Sequence, residues 1–258
     1  MSINISFIIF LIQLVSSQIT DCPQRCTCGY YVDALFVDCK RAGYKSIPEL
    51  PINVEYLYLQ HNDLRWLDDG VTDFSNYENL TYIKLENNPK LSGISRNFFS
   101  GNKKLAFVFM KNTGIINFTG FEVPDISILE ANSDSIRSFD FDSFVDANKG
   151  SNQSMSIKIG GQNLDYITAE NKFAMTQEMD ISMQVSETGQ FDITKILAKF
   201  PSAKSFQMYS KWDFIGDVSL AKLTFTHPFY DELKTFNLYG FADVTELLKL
   251  QKILSLAT

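Results

Sequence analysis

Histidine is nearly absent from this chain. Its 258 residues include only His61 and His227, far apart and with no Cys or Glu at ligand spacing, so a metal hydrolase or a histidine-based triad finds no support. Basic runs are missing too: none exceeds the pairs Lys40-Arg41 and Lys103-Lys104, and 23 Lys plus Arg face 30 Asp plus Glu, a formal net charge of -7. That balance argues against nucleic acid, polyanionic glycans and anionic lipid as principal partners. There is no Gly-rich phosphate loop, no G-x-S-x-G and no His-Glu-x-x-His. The acidic stretch holding Asp140, Asp142 and Asp146 lacks the central Gly and terminal Glu of a calcium loop and reads as a solvated turn. The expectation is therefore no catalytic residue, no cofactor and no metal; the chain is not read as an enzyme.

Cysteine is absent after residue 39. All four cysteines, Cys22, Cys26, Cys28 and Cys39, fall within eighteen positions, so they staple one small local element. Clustered cysteines in an oxidising compartment favour two disulfides, and spacing alone permits three connectivities. A redox site lacks its Cys-x-x-Cys. Upstream, Phe7 to Val15 reads FIIFLIQLV and is followed by Ser16 and Ser17, the core and cleavage region of a secretory signal peptide over residues 1–17, although no Lys or Arg precedes it. No apolar run of 18 residues occurs downstream, so no membrane span and no lipid-anchor signal is expected. Acceptor triplets at Asn79, Asn117 and Asn152 add glycosylation to the expectation of a secreted, extracellular chain.

Self-similarity at a period of 20 to 29 residues decides the fold. Val54-Glu-Tyr-Leu57-Tyr-Leu59-Gln-His-Asn62-Asp-Leu64 places apolar residues at positions 1, 4, 6 and 11 with Asn at 9, and Leu80-Thr-Tyr-Ile83-Lys-Leu85-Glu-Asn-Asn88 repeats it. These stretches resemble the leucine-rich repeat family, whose consensus is L-x-x-L-x-L-x-x-N-x-L. Looser copies begin at 105, 126, 154, 178, 203 and 233, with Thr113, Asp134, Gln162 and Ser186 standing where the consensus has Asn. Positions 4 and 6 point inward from a short strand and 3, 5 and 7 outward. A buried Asn at 9 satisfies backbone groups of the turn, a task Thr, Asp or Gln can share only in part. One phenylalanine per copy, Phe74, Phe98 or Phe99, Phe121, Phe144, Phe173, Phe200 and Phe225, is expected to stack into an interior column. The resemblance implies an α/β solenoid of about eight repeats over 53–258, curved, with one parallel sheet on its concave face.

The front end carries a second resemblance. Cys22-Pro-x-x-Cys26-x-Cys28, then Val37-Asp-Cys39, Ile47-Pro48 and Leu50-Pro51, is similar to the cysteine-rich N-terminal cap shared by Slit-like proteins, small leucine-rich proteoglycans and Toll-like receptors. It implies a cap over 18–52 that shields the open end of the solenoid, with Cys22 paired to Cys28 and Cys26 to Cys39. No cysteine remains for a matching cap at the far end, and Val244 to Leu256 reads as an amphipathic stretch. An open or truncated end is expected there, and with it pairing between two copies through that end.

Outward positions of the first three repeats gather Tyr56, Tyr58, Tyr82, Lys84, Phe107, Phe109 and Lys111, which form the candidate partner-binding patch. The leading reading is a secreted or cell-surface recognition module that binds a protein or glycoprotein there. Its alternative is a structural leucine-rich repeat protein of the extracellular matrix.

Overall fold

The computed structural model describes residues 21–68, 74–123, 126–148, 154–170, 179–186, 189–200, 202–209, 222–224 and 235–239. In chain order its strands are β1 (Thr27–Tyr31), β2 (Ala34–Asp38), β3 (Tyr56–Tyr58), β4 (Trp66–Leu67), β5 (Tyr82–Lys84), β6 (Gly93–Ile94), β7 (Phe107–Phe109), β8 (Asn117–Phe118), β9 (Ile128–Asn132), β10 (Ser138–Asp140), β11 (Met155–Gly160), β12 (Tyr166–Thr168), β13 (Met179–Gln184), β14 (Gln190–Asp192), β15 (Ala203–Tyr209), β16 (Lys222–Thr224) and β17 (Thr235–Tyr239). Ten of these described strands make one sheet in the order β1-β2-β3-β5-β7-β9-β11-β13-β15-β17. Within it β1 and β2 form an antiparallel hairpin, and each later neighbour is parallel. Parallel strands need a crossover, and here the return leg of each coil supplies it. Those legs carry the short convex ladders β4-β6, β8-β10-β12 and β14-β16. The architecture is a leucine-rich repeat solenoid.

The inward positions set the register. Val37, Leu57, Ile83, Val108, Leu129, Ile157, Ile181 and Phe206 face one another across successive strands, and each is at most 1% exposed. A slip of one residue would turn this whole row to solvent, which is why the coils stay aligned despite their unequal lengths. Gly160, at φ +99, ends β11 where a Cβ would lie 1.9 Å from the Gln184 carbonyl, so no other residue fits.

Buried asparagines close the first turns. Asn88 is fully buried; its Nδ2 donates to the Leu59 and Leu85 carbonyls at 2.9 and 2.8 Å, and its Oδ1 accepts from the Leu64 N–H. Asn62 does the same one coil earlier, donating to the Cys39 and Leu59 carbonyls and accepting from Tyr44 N–H. Thr113 is still buried at this position, but Asp134 and Gln162 are exposed and hydrogen-bond each other instead, Gln162 Nε2 donating to Asp134 at 3.0 Å. The expected partial replacement by Asp and Gln is thus corrected. Ser133, one residue earlier, takes the buried place and donates to the Thr113 carbonyl. On the return legs Asn102 and Asn148 perform a parallel task, each donating to two backbone carbonyls.

The interior phenylalanines do stack, though along a zigzag. Phe74 lies 4.8 Å from Phe98 and 5.7 Å from Phe99, and Phe99 reaches Phe121. From there the path runs through Phe118 and Phe139 to Phe144 and Phe141, and Phe141 meets Phe200. Phe173 and Phe225 lie outside the described residues.

In the cap, Cys22 is bonded to Cys28 and Cys26 to Cys39. The acidic stretch at 140–146 is consumed locally: Asp140 caps the helix Phe141–Asn148 by accepting from the Ser143 N–H, Asp142 pairs with the buried Lys199, and Asp146 pairs with Arg96. Residues 1–17, Asn152 and the stretch from Val244 to Leu256, with the expected open end and the dimer read from it, lie outside the described residues. Among the described residues no helix is long and apolar enough to cross a membrane.

Replacing Asn88 by Ala strands the Leu64 N–H and the Leu85 carbonyl in the interior, while the Leu59 carbonyl keeps its bond from Asn62, an expected cost of about 2–4 kcal/mol. Asp134→Ala, at the same motif position but exposed, should leave the urea midpoint unchanged. Equal effects of the two substitutions would contradict the split between buried and exposed turns.

Candidate functional site

Because side chains alternate along a strand, the concave face is read in columns across the sheet. The first column pairs Phe36, Tyr56, Tyr82 and Phe107, and the second pairs Asp38, Tyr58, Lys84, Phe109 and Glu130. Tyr82 sits at the centre, with ring centroids 5.8 Å from Tyr56, 5.7 Å from Tyr58, 6.0 Å from Phe107 and 5.3 Å from Phe109. Tyr31, from the cap hairpin, stacks on Phe36 at 4.5 Å and meets Tyr56 edge-on at 6.0 Å. The rings of both columns are half-buried by one another, so the patch is a continuous aromatic shelf at the cap end.

Lys84 is held within this shelf. Its Nζ lies 5.7 Å from the Tyr82 centroid and 5.5 Å from that of Phe109, and 3.9 Å from the Glu86 carboxylate. A cation over two ring faces gains about 0.5–1 kcal/mol per contact at a partly exposed site. Hydrogen bonding to Tyr82, reinforced by the nearby Glu86 and Glu130 carboxylates against the opposing effect of burial, raises the Lys84 pKa and keeps it charged. Burial, and then the neighbouring Tyr31, pushes the Tyr58 hydroxyl up to about 12. Nothing in this arrangement resembles an acid, a base and a nucleophile in register. It offers apolar area, phenolic hydroxyls and one fixed cation.

Six of the seven expected patch residues, Tyr56, Tyr58, Tyr82, Lys84, Phe107 and Phe109, are brought together. Lys111 is exposed and joins none of the ring contacts among the described residues. Tyr31 and Phe36 belong to the shelf and were not anticipated from the repeats. The signal existed: Val37-Asp-Cys39 occupies positions 4 to 6 of a repeat-like strand, which makes Phe36 its outward position 3. Further along, the columns change to Ser156, Asp180 and Ser205 and to Lys158, Ser182 and Gln207, lining a shallow hollow of about 290 Å³. Of the acceptor asparagines, Asn79 is half-buried with its Oδ1 accepting from Lys104 Nζ at 2.7 Å, whereas Asn117 is exposed on the convex strand β8.

No family model matches the chain. Over 94 residues, 36% of its length, it is 34% identical to keratocan of Bos taurus and equally to keratocan of Homo sapiens. It is 29% identical to fibromodulin of Rattus norvegicus over 102 residues, 39% of the chain. Each match covers 26% of the relative, so the chain spans about a quarter of the length of the curated relatives it matches. Keratocan and fibromodulin are small leucine-rich proteoglycans, which are structural proteins and not enzymes. Paired cysteines, a repeat solenoid and this likeness mark an extracellular leucine-rich repeat chain.

Folding raises the Tyr58 pKa, so its contribution to stability is complete below the ordinary value of 10.0 and is lost as pH climbs through about 12. Phenolate absorbance should therefore show one tyrosine titrating near pH 12 that disappears in Tyr58→Phe. Amplitude lost near pH 10 instead of near pH 12 in the variant would remove Tyr58 from the shelf's buried side.

Proposed function

We propose that this chain is a structural leucine-rich repeat protein of the extracellular matrix, and that its aromatic shelf docks a neighbouring matrix protein or glycoprotein. The observation that carries the reading is the shelf itself, placed on the concave face of a solenoid whose matched relatives are matrix proteoglycans. Rings that support one another from strand to strand are rigid before a partner arrives. Little side-chain freedom is then lost on binding, and tyrosine combines large contact area with a hydrogen-bonding tip. Lys84, fixed over two rings, supplies one oriented positive charge for a partner's carboxylate or carbonyl. Surface complementarity, with no bond made or broken, is the mechanism.

The alternative is a receptor-like module, secreted or at the cell surface, that binds one soluble partner by the same face. Retention separates the two. A matrix role predicts that the protein stays with insoluble extracellular material and is released by chaotrope; the receptor-like role predicts soluble release and saturable capture of a single ligand. Under the proposed reading, Tyr58→Ala combined with Phe109→Ala is secreted normally but moves from the insoluble fraction into the medium. Unchanged retention of the double variant would detach the shelf from the function, and a freely soluble parent protein would refute the matrix role.

A further inference from the structure

The convex surface has a gap. Among the described strands β6 pairs only with β4 and β8 only with β10, so the convex ladders are interrupted between the coils that carry Gly93 and Asn117. Three features of different chemistry lie on the coils that flank it. Trp66 of β4 is 52% exposed and lies across its partner Gly93: a Cβ on that glycine would fall 2.1 Å from Cζ3 and 2.6 Å from Cη2 of the indole. Its Nε1 donates to Ser95 Oγ at 3.3 Å, which fixes the ring's direction. The ring therefore leans from its own coil over the next, toward the coil bearing Asn117. Ile116, immediately before that asparagine, is 53% exposed.

The third feature is the triplet Asn117-Phe118-Thr119. Phe118 is buried and stacks on Phe139 at 4.5 Å, which anchors the middle of the triplet, while Asn117 and Thr119 are both exposed. The acceptor amide and its required hydroxyl residue are thus presented together to solvent. Both amide oxygens accept a hydrogen bond, that of Asn117 from Ser138 Oγ at 2.8 Å and that of Asn79 from Lys104 Nζ at 2.7 Å, so the two differ in exposure alone, Asn79 being half-buried.

We infer that Asn117 carries an N-linked glycan whose first sugars pack on Trp66 and Ile116 and close the convex gap. The apolar C–H face of a pyranose is a natural cover for an exposed indole, and its hydroxyls remain outward. On the concave side the coils of Gly93 and Asn117 are paired through β5 and β7, where strands lie about 4.8 Å apart, so they are adjacent, and a ring displaced by one coil toward Asn117 is within reach of sugars attached there. A free strand edge beside exposed apolar side chains is a site of unwanted association, and a glycan at this spot covers both. The concave shelf, on the other side of the coil, stays bare.

The test uses the secreted full chain in three forms: as secreted, after enzymatic glycan removal under native conditions, and as Thr119→Ala, which destroys the acceptor but keeps Asn117. Peptide mass spectrometry reads occupancy, and hydroxyl-radical footprinting reads the oxidation rate of Trp66 directly. The expected result is sugar on the Asn117 peptide and a Trp66 oxidation rate about twofold higher in both sugar-free forms, as for a half-exposed ring losing its cover. Thr81→Ala, which removes the Asn79 acceptor, should leave the Trp66 rate as it was. An unmodified Asn117 peptide overturns the inference, and so does a modified one whose removal leaves Trp66 oxidation unchanged. Should Thr119→Ala fail to be secreted, the enzymatically treated protein still decides between these outcomes.

Discussion

No coil of this solenoid can satisfy its own backbone. Each turn leaves N–H and C=O groups facing inward, and a buried polar group without a partner costs more than the hydrogen bond it would have made. Asn62 and Asn88 meet that constraint by bridging carbonyls of their own coil and the preceding one, which ties local turn geometry to stacking. The parallel sheet, the aromatic shelf on one side and the interior phenylalanines on the other all rest on coils held at that spacing. Where the asparagine is lost the coils do not fall apart, because Ser133 and the Gly160 turn restore the connection by other means.

What was legible in the sequence follows from which positions are constrained. Inward residues such as Leu57, Ile83 and Val108 were readable because a two-residue period must keep them buried, and the strand register honours it residue by residue. The disulfide pairing followed from the cap's resemblance and stands in the structure. Asp134 and Gln162 misled because a shift of one residue, to Ser133 and Gly161, keeps the turn closed while pointing the motif residue outward. Phe118 and Phe139 were missed since they sit on two- and three-residue convex strands, too short to show a period. Tyr31 and Phe36 are hidden for another reason: the clustered cysteines dominate the pattern of the cap and mask the fact that its strand β2 continues the repeats it joins.

The concave face is divided into two chemistries by one sheet. At the cap end, rings rest on rings and Lys84 is occupied by them, so the surface is preorganised and apolar. Beyond β9, serines replace the rings at the same columns, and the face falls away into a small polar hollow. A partner lying along the sheet would be anchored at one end and only oriented at the other. This asymmetry suits a docking role better than an enclosed pocket would, because affinity concentrates in a few central aromatic contacts while the surrounding polar groups set direction.

The convex side changes character along the chain as well, and charge explains how it stays in step. From Asp140 onward short helices appear on the return legs, begun by side chains of Asp140 and Asp192 that accept from Ser143 and Lys195 N–H groups. Helical and extended legs differ in rise per residue, so coils of mixed type need a device that fixes them to one another. Asp142 accepts from the Glu170 N–H and pairs with the buried Lys199, and Glu170 pairs in turn with Lys195. A buried ion pair adds little net stability over well-packed apolar groups, but breaking one partner is costly. Its contribution here is therefore registry: three successive coils whose turns lack the asparagine ladder are held in place by charges that tolerate only one arrangement.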